Sequence, residues 1–534
     1  MIRGKSNQGD LLKRVFSLAT ILVAGGFSGM IGCGGGGGAG DANVSAQSTT
    51  TSVGVMNPGS VANVPFGSSG SARVSFSNLT GTEQFVVSFQ SHTTTQGTYS
   101  TGISGSESDL GSLRSSLVTS LDVSNQVSND PMEATEAFHE MLRREEANIP
   151  FANQQDTKLS MSAGGGSLRG YISTGEVLSV QVLNSLSSTS SFTTIACNIR
   201  VITDHFIACR DSNDAGSLSD SNMQILMNHF EANANEQFAT YGSVSDVDDN
   251  GKVITVFSSV INELAGAGGG IVTGYFYAGD LYSGNNGEYI FCHVPSEVVN
   301  ESFYMSNTGP NCMPHELQHA INYNMRAFVN ETSTEPSPMN EGGSHLAEHL
   351  FGNNNENPSR VNLYFGSNLA SFMGGTSLSQ RGGSYLFLRY IYEQADNGRF
   401  SGVASGNALI RSMLDRSETG LEAVVAATGE NIDTILSDFF TALYLSNTGL
   451  SSDTRFNFSG INLRSEQNDN RFTVLDGPTV QSASSLPVSG SVLAISSNYS
   501  LITGSQIQAN GNEIGLSASS SSDPFVSLIR IGDR

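Results

Sequence analysis

Basic residues are scarce in this chain of 534 residues. Lysine and arginine together number 25, against 49 aspartates and glutamates, which gives a formal net charge of −24. A protein that binds nucleic acid needs a basic surface to neutralise phosphates, so the composition excludes that class. Charged residues of both signs make up only 14% of the sequence, so the acidity does not come from the long charged runs of disordered chains.

Tryptophan is absent, which by itself indicates no function, whereas glycine is abundant at 59 residues. Chains rich in glycine, serine and threonine with short apolar stretches are typical of exported β-rich domains. The length corresponds to about three to four domains of roughly 150 residues each. The composition therefore predicts a multidomain protein, does not by itself establish export, and leaves open whether the protein is an enzyme or a surface protein.

The N-terminus has the layout of an export signal. An uncharged apolar stretch at 15–31 follows four basic residues: Arg3, Lys5, Lys13 and Arg14. The stretch contains several glycines and is short for a hydrocarbon core of about 30 Å, which favours a signal peptide over residues 1–32 rather than a transmembrane anchor.

The end of this stretch, Met30-Ile31-Gly32-Cys33, resembles a bacterial lipobox. The resemblance implies cleavage before Cys33 and acylation of that residue, with ordinary secretory cleavage as the alternative. Residues 33–60 are rich in glycine, serine and threonine and are typical of a flexible tether. By resemblance to lipoprotein sorting rules, Gly34 after the cysteine implies the outer membrane, with secretion as the alternative.

Four cysteines remain once Cys33 is assigned to the lipid: Cys197, Cys209, Cys292 and Cys312. Four cysteines allow three pairings, and nearness in sequence favours Cys197 with Cys209 and Cys292 with Cys312. An oxidising envelope compartment is consistent with two disulfide bonds. Four buried free thiols are the alternative.

The hydrophobic pattern changes twice along the chain. Alternation of period two, broken by Gly, Ser and Asn, predicts a β-rich N-terminal domain at 61–189, interrupted by a helix at Pro131–Glu146. Strands and amphipathic helices alternate over 190–446, and a β-rich pattern returns at 447–534. The predicted fold is therefore an α+β domain flanked by β-sandwich-like regions, the second of which forms its own sandwich or packs on the first.

The chemistry is concentrated in the segment Pro-His-Glu-Leu-Gln-His at 314–319. On a helix, His315 and His319 lie one turn apart on one face, close enough for both imidazoles to bind one cation. Glu316 points to the adjacent side and can take a proton from an attacking water without being a ligand. This is the H-E-x-x-H arrangement of zinc peptidases, and a helix with two surface histidines is the structural alternative.

A catalytic zinc needs a third protein ligand. Glu341, in Asn340-Glu341-Gly342-Gly343, resembles the Asn-Glu-Gly segment that supplies this ligand in the gluzincins, and Glu348 follows where aminopeptidase-like members repeat an acid. An acid at a helix N-terminus is the structural alternative for Glu341. A metzincin would need glycine and histidine where this chain has Asn322 and Met325.

Further segments resemble the hyicolysin family of bacterial zinc metallopeptidases over roughly residues 190–446. They are the turn at 246–253, the segment Ser302-Phe303-Tyr304-Met305, the zinc-helix segment 315–323 and the segment 382–390. The resemblance implies a zincin-like fold that holds one Zn²⁺ through His315, His319 and Glu341, with Glu316 as the catalytic acid and base. It also implies an antiparallel edge strand that binds substrate as an added strand, for which 270–277 and 289–294 are the candidates.

A second donor to the developing oxyanion is usual among such enzymes. Tyr385, His345 and Tyr364 are the candidates, and analogy with aminopeptidase-like gluzincins favours Tyr385. A core tyrosine that opens an apolar helix is the structural alternative. His345 follows Glu341 by one turn and either supports the ligands or is exposed; His349 is assigned to the helix surface.

Asp246, Asp248 and Asn250, followed by Gly251, resemble the opening of a calcium loop. The later carboxylate of such a loop is missing, because Phe257 occupies its position. A plain Asp/Asn/Gly turn is therefore favoured, with a peripheral Ca²⁺ as the alternative.

The sequence thus predicts an exported, lipid-anchored zinc endopeptidase that acts on protein or peptide substrates and binds no nucleic acid. The main alternative is a surface adhesin or host-protein binder that retains a zincin scaffold. Aminopeptidase activity is a lesser alternative, because no acidic motif that would bind a substrate N-terminus precedes the zinc helix.

Overall fold

Strands occupy both ends of the chain and helices its middle. The computed structural model describes residues 49–105, 131–149, 173–264, 271–366, 369–467 and 473–534. These residues all belong to one compact unit, Ala46–Arg534. The predicted signal peptide, the lipidation site Cys33 and most of the predicted tether lie outside the described residues.

The strands, in chain order, are β1 (Thr49–Val53), β2 (Val61–Val64), β3 (Ser71–Phe76), β4 (Glu83–Ser91), β5 (Thr98–Ser104), β6 (Val177–Leu183), β7 (Phe192–Ile202), β8 (Phe206–Asp211), β9 (Val253–Phe257), β10 (Gly274–Phe276), β11 (Tyr289–Cys292), β12 (Val480–Ser482), β13 (Val488–Leu493), β14 (Ser496–Thr503), β15 (Glu513–Ala518) and β16 (Pro524–Asp533).

The α-helices, in chain order, are α1 (Pro131–Asn148), α2 (Asp220–Tyr241), α3 (Ser259–Leu264), α4 (Glu301–Ser306), α5 (Thr308–Tyr323), α6 (Ser337–Phe351), α7 (Asn357–Gly366), α8 (Leu378–Asp396), α9 (Gly406–Leu414), α10 (Gly420–Thr428), α11 (Ile432–Leu445) and α12 (Gly504–Ala509). A π-helical turn, Asn324–Val329, extends α5. In the part of the chain that the structure describes, no helix has both the length and the apolar character needed to cross a membrane.

The two ends of the chain build their sheets together. One five-stranded sheet has the order β1-β3-β15-β5-β13, and the other has the order β12-β14-β4-β16-β2. Apolar side chains of both sheets share one core, including Val74 and Leu516 from the first and Val87 and Leu528 from the second. The C-terminal β region is therefore interleaved with the N-terminal one instead of forming a second sandwich.

A six-stranded sheet, β10-β11-β9-β8-β7-β6, is the third sheet. Strand β6, which the sequence placed in the N-terminal domain at 61–189, pairs with β7. This pairing puts β6 in one sheet with strands from beyond the boundary predicted between residues 189 and 190. The alternating pattern of β6 identifies a strand but does not identify its partner. The predicted disulfides are confirmed: Cys197–Cys209 joins β7 to β8, and Cys292–Cys312 joins β11 to α5.

Helices α5, α6 and α8 pack together beside this sheet through a large apolar core. Small residues allow close approach between them. A Cβ atom on Gly382 of α8 would lie 2.2 Å from the carbonyl oxygen of Arg360 on α7. The glycine-rich segments after Glu341 and Arg381 therefore let these helices approach closely around the buried polar residues that they carry.

The edge strand of this sheet is β10, which pairs antiparallel with β11 alone. Of the two predicted edge segments, the structure selects the one at 270–277, since β11 lies between β10 and β9; Gly270 itself is outside the described residues. Gly274 is required at this position, because an added Cβ would lie 2.5 Å from Cys312 Sγ and 2.6 Å from the carbonyl oxygen of Phe291. The absence of a side chain brings β10 onto helix α5.

Candidate metal centre and active site

Two histidines one helical turn apart on α5 face one carboxylate on α6. His315 Nε2 lies 3.6 Å from Glu341 Oε2, and His319 Nε2 lies 3.6 Å from Glu341 Oε1. One ligand atom from each of the three residues lies within 4.8 Å of the others. A separation of 3.6 Å exceeds a hydrogen bond but suits a cation between the groups, since zinc binds nitrogen and oxygen at about 2.0–2.2 Å.

The other ring nitrogen of each histidine is held by an oxygen acceptor. His315 Nδ1 lies 2.7 Å from Glu348 Oε1, and His319 Nδ1 lies 3.0 Å from Asn340 Oδ1. Because a carboxylate or amide oxygen can only accept, Nδ1 carries the proton in a neutral ring and Nε2 keeps its lone pair. The Nε2 lone pairs can therefore bind a metal, which on His319 would replace the 3.1 Å contact with Ser344 Oγ.

Charge and burial fit a cation at this position. His315 Nε2 and Glu341 Oε1 are buried, and within the described ranges neither has a hydrogen-bond partner. Burial opposes ionisation of Glu341, but the charge of Arg381 and the facing histidines hold its pKa well below its usual range. Burial also lowers the pKa of His319, which keeps this imidazole neutral. Burial opposes protonation of His315, but the surrounding carboxylates raise its pKa to about 10, so a metal would bind this ring by displacing the proton on Nε2. Two imidazoles and one carboxylate are the donor set of many catalytic zinc sites.

Glu316 lies beside this group and is itself buried. Burial raises its pKa to about 7, even though His315, Arg143 and a backbone hydrogen bond from Phe276 act in the opposite direction. Its Oε2 atom has no hydrogen-bond partner among the described residues. A carboxyl with a pKa near neutrality can both accept and return a proton, which is the property of a general acid/base.

Arg381 of α8 connects Glu341 to helix α1. Its Nη1 lies 3.1 Å from Glu341 Oε2, and its Nε lies 3.0 Å from Glu136 Oε2. The same Nε donates to the carbonyl oxygen of Thr376 at 2.8 Å. No sequence pattern predicted Arg381 or Glu136, because their contacts join distant segments. The local signal was the Gly-Gly pair that follows Arg381.

Helix α1 lies along the edge strand β10. Arg143 Nη2 donates to the carbonyl oxygen of Phe276 at 3.1 Å, and the ring of Phe138 packs edge-on against Tyr275 at 5.7 Å. The N–H of Phe276 bonds to Glu316, so the two polar groups of this residue contact Arg143 and Glu316. The predicted helix at Pro131–Glu146 is confirmed, but its place at the active-site edge could not be read from its own sequence.

A cavity of about 410 Å³ opens beside the site and is lined by His315, Glu316 and Glu348. Helix α1 contributes Glu136 and His139 to its wall. Four exposed apolar side chains also line it: Ile271, Val298, Phe303 and Leu363. The cavity therefore combines the polar site with an accessible apolar wall.

Tyr385 is not brought to this cavity. Its hydroxyl forms a 2.5 Å hydrogen bond with His349 Nδ1, and the two rings are stacked at 5.9 Å. The side chain of Tyr385 is fully buried, and Tyr385 is not among the residues that line the cavity. The expected role of Tyr385 as an oxyanion donor therefore has no support in the geometry, and the core-tyrosine alternative describes it. His349, assigned to the helix surface, is half-buried.

His345 and Tyr364, the other two candidates, are both fully buried. His345 Nδ1 lies 3.0 Å from Glu348 Oε1, the oxygen that also contacts His315 Nδ1. His345, Glu348 and His315 form a second group of potential ligands within 4.8 Å. Glu348 and His345 lie on the Nδ1 side of His315, away from the Nε2 atom that faces Glu341. They therefore support the His315 ring and do not form a separate metal site.

Comparison with known proteins gives a distant relationship. No protein-family model matches the chain. Over 251 residues the chain is 22% identical to the neutral metalloprotease ShpI of Staphylococcus hyicus. The alignment covers 44% of this chain and 52% of the relative, so the chain spans about half the length of the protein that it matches. The similarity is thus to a metalloprotease, and the His/Glu groups are compatible with zinc.

Proposed function

We propose that this protein is a zinc-dependent endopeptidase with a zincin-like catalytic core. The observation that carries the proposal is the arrangement of His315 and His319 around the carboxylate of Glu341, with Glu316 beside them. The similarity to a neutral metalloprotease supports the same reaction class. His315, His319 and Glu341 would hold one Zn²⁺ per chain.

A zinc ion held there supplies a Lewis acid that polarises a scissile carbonyl and lowers the pKa of an attacking water. Glu316 removes a proton from that water and passes it to the leaving amine, which its pKa near 7 allows in both directions. Glu348 and Asn340 fix the orientation of the two imidazoles. Arg381 balances part of the charge of Glu341.

The edge strand β10 is the proposed docking strand for an extended substrate, because it is adjacent to Glu316. The Phe276 carbonyl, however, already accepts from Arg143. A substrate strand that pairs with Phe276 must therefore share this carbonyl oxygen with the guanidinium or displace it. Helix α1 is thus part of the substrate-binding edge in this account.

The apolar wall of the cavity supports a preference for bulky apolar substrate side chains. Ile271, Val298, Phe303 and Leu363 expose their side chains at the cavity, where burial by a ligand would remove apolar surface from water. Peptides with Leu or Phe next to the cleaved bond are expected to be better substrates than matched peptides with Asp or Lys. Phe303→Ser should reduce this preference by about tenfold, while the exposed apolar control Val425→Ser should leave it unchanged.

A peptide-library digest with matched zinc analysis tests the proposed reaction. Wild-type protein should contain one zinc per chain and cleave internal peptide bonds. Glu316→Gln should retain the zinc and lose about 10²- to 10⁴-fold in rate, because the proton acceptor is gone while the ligands remain. Zinc-loaded wild type that cleaves no peptide or protein would instead favour the adhesin alternative, and release of N-terminal residues alone would indicate an aminopeptidase.

Export and lipid attachment complete the proposal. The basic and apolar N-terminal segment and the lipobox-like residues before Cys33 support a lipoprotein of the cell envelope, with the outer membrane as its location. Growth with a labelled fatty acid should label the wild-type protein and not Cys33→Ser. Label on both proteins, or on neither, would contradict lipid attachment at this cysteine.

A further inference from the structure

Three carboxylates that belong to no part of the proposed active site converge at the start of strand β9. Asp246 and Asp248 lie in the turn between α2 and β9, and Glu288 lies immediately before β11. One oxygen from each lies within 4.8 Å of the other two. The turn resembles the opening of a calcium loop in sequence but lacks the later carboxylate of such a loop. Glu288, from a distant segment, brings a third carboxylate to the turn.

Sheet topology explains why Glu288 reaches this turn. Strands β9 and β11 are parallel neighbours, with Tyr289 opposite Ile254. The N–H of Ile254 donates to the carbonyl oxygen of Glu288 at 2.8 Å. Because parallel strands begin at the same edge of a sheet, the residue before β11 lies beside the turn that precedes β9. No local sequence pattern could have paired these two segments.

Two of the three carboxylates are shielded from water, and Asp246 is half-buried. Glu288 and Asp248 are 1% and 3% exposed. Glu288 Oε1 accepts from the N–H of Val247 at 2.9 Å, whereas the buried Glu288 Oε2 has no hydrogen-bond partner in the described ranges. Gly287 permits the approach, since a Cβ there would lie 2.9 Å from Asp248 Oδ2. A buried carboxylate oxygen without a partner requires a cation or a proton.

Among the residues that the structure describes, no basic side chain forms an ion pair with this cluster. Lys252, the basic residue of the turn, donates its Nζ protons to the carbonyl oxygens of Thr203 and Asp204 at 2.7 and 2.6 Å. Burial raises the pKa of Asp248 to about 6 and that of Glu288 to about 7, and the charged groups that add to these shifts are themselves acidic. The geometry therefore brings negative charge together without neutralising it.

We propose that Asp246, Asp248 and Glu288 bind a calcium ion. The donor set contains only oxygen atoms, which suits Ca²⁺ and not the nitrogen- and sulfur-binding transition metals. Ca²⁺ accepts six to eight oxygen ligands in flexible geometry, so water and main-chain carbonyl groups can complete the shell. The site shares no residue with His315, His319 and Glu341.

A calcium ion at this position would tie the turn before β9 to the start of β11. Strand β11 in turn carries the edge strand β10 and is joined to helix α5 by the Cys292–Cys312 disulfide. The expected result of Ca²⁺ binding is therefore a more stable sheet beside the active site, measured as a higher Tm for the zinc-loaded protein.

Calorimetric titration of the zinc-loaded full chain with Ca²⁺ tests this site. Wild type should bind one Ca²⁺ with a Kd below about 1 mM. Asp248→Asn and Glu288→Gln should each weaken binding by at least about tenfold, because each removes one charged ligand. Asp249→Asn is the matched control: it makes the same change at an exposed neighbour outside the cluster and should bind like wild type.

Wild type alone supplies a second measurement if a variant fails to fold. Tb³⁺ at the site should emit light after excitation of Tyr289, which follows Glu288, and Ca²⁺ should quench this emission by displacement. Absence of Ca²⁺ binding up to about 10 mM, equal binding by Glu288→Gln and wild type, or complete displacement of Ca²⁺ by equimolar Mg²⁺ would each overturn the proposal.

Discussion

Arg381 Nη1 lies 3.1 Å from Glu341 Oε2, and both side chains are buried. The carboxylate that faces His315 and His319 is therefore oriented by a guanidinium on a different helix. The same Arg381 contacts Glu136 of α1, so the position of Glu341 depends on packing among α1, α6 and α8. Groups that orient ligands in this way commonly determine metal affinity as strongly as the number of ligands does.

Replacing Arg381 should weaken zinc binding without removing a ligand. Arg381→Gln leaves Glu341 without its charged partner and should raise the zinc Kd by about 10- to 100-fold, as measured by competition with a chromogenic chelator. Arg411→Gln, which breaks the exposed ion pair with Asp415, is the control and should not change the zinc Kd. Unchanged zinc affinity in Arg381→Gln would show that Glu341 is positioned without this contact.

The residues of the candidate metal centre could be predicted to the extent that their pattern is local. His315 and His319 follow helical periodicity, and Glu341 was identified by its resemblance to a known segment. Arg381, Glu136 and Arg143 could not be predicted, because their partners lie on separate helices and a strand whose contacts carry no periodic signal. The role of Tyr385 stays a prediction for a related reason: analogy selects a residue type on a later helix but does not determine which way that side chain faces.

The β regions show the same limit. Alternation predicted strand β4, but it did not predict that β4 would lie between β14 and β16 from the other end of the chain. Both faces of a buried strand accept apolar neighbours. The hydrophobic pattern of β4 therefore shows that the strand is buried but does not identify the strands that pair with it. Long-range pairing also placed Glu288 beside Asp248, where it adds a carboxylate that no local pattern in the turn supplies.

Removing the Tyr385 hydroxyl should affect stability and not catalysis. Tyr385→Phe loses the hydrogen bond to His349, which should lower the free energy of unfolding by about 1 kcal/mol. Because the ring lies outside the cavity, kcat/KM for a peptide substrate should stay within about twofold of wild type. A loss of about 10²-fold or more in kcat with zinc retained would restore Tyr385 as an oxyanion donor.

Asp280 should make stability depend on pH. Burial raises the pKa of this carboxyl to about 7, although the N–H and side-chain amide of Asn285 both donate to its Oδ1. The unfolded chain has an aspartate pKa near 4, so the folded protein binds this proton more tightly. The stabilisation that this bound proton gives the folded protein is fully present below a pH of about 4. It is lost as the pH rises through about 7.

Asp280→Asn isolates this effect, because an amide cannot ionise yet keeps an oxygen for Asn285. The free energy of unfolding of wild type relative to Asp280→Asn should fall as the pH rises from about 5 to 7, by at most about 1.4 kcal/mol per pH unit. Urea denaturation at several pH values measures the difference. The exposed control Asp204→Asn should give a difference with no such slope, and a flat difference for Asp280→Asn would contradict the prediction.

The central claim is that one zinc ion held by His315, His319 and Glu341 makes this chain a peptidase. Stepwise addition of Zn²⁺ to chelator-treated protein, with peptide cleavage measured at each step, tests it most directly. Activity should rise linearly and reach its maximum at one zinc per chain, and Glu341→Gln should require about 10- to 100-fold more free zinc for half-maximal activity. Cleavage that is independent of added zinc, or that is restored equally in Glu341→Gln and wild type, would contradict the account.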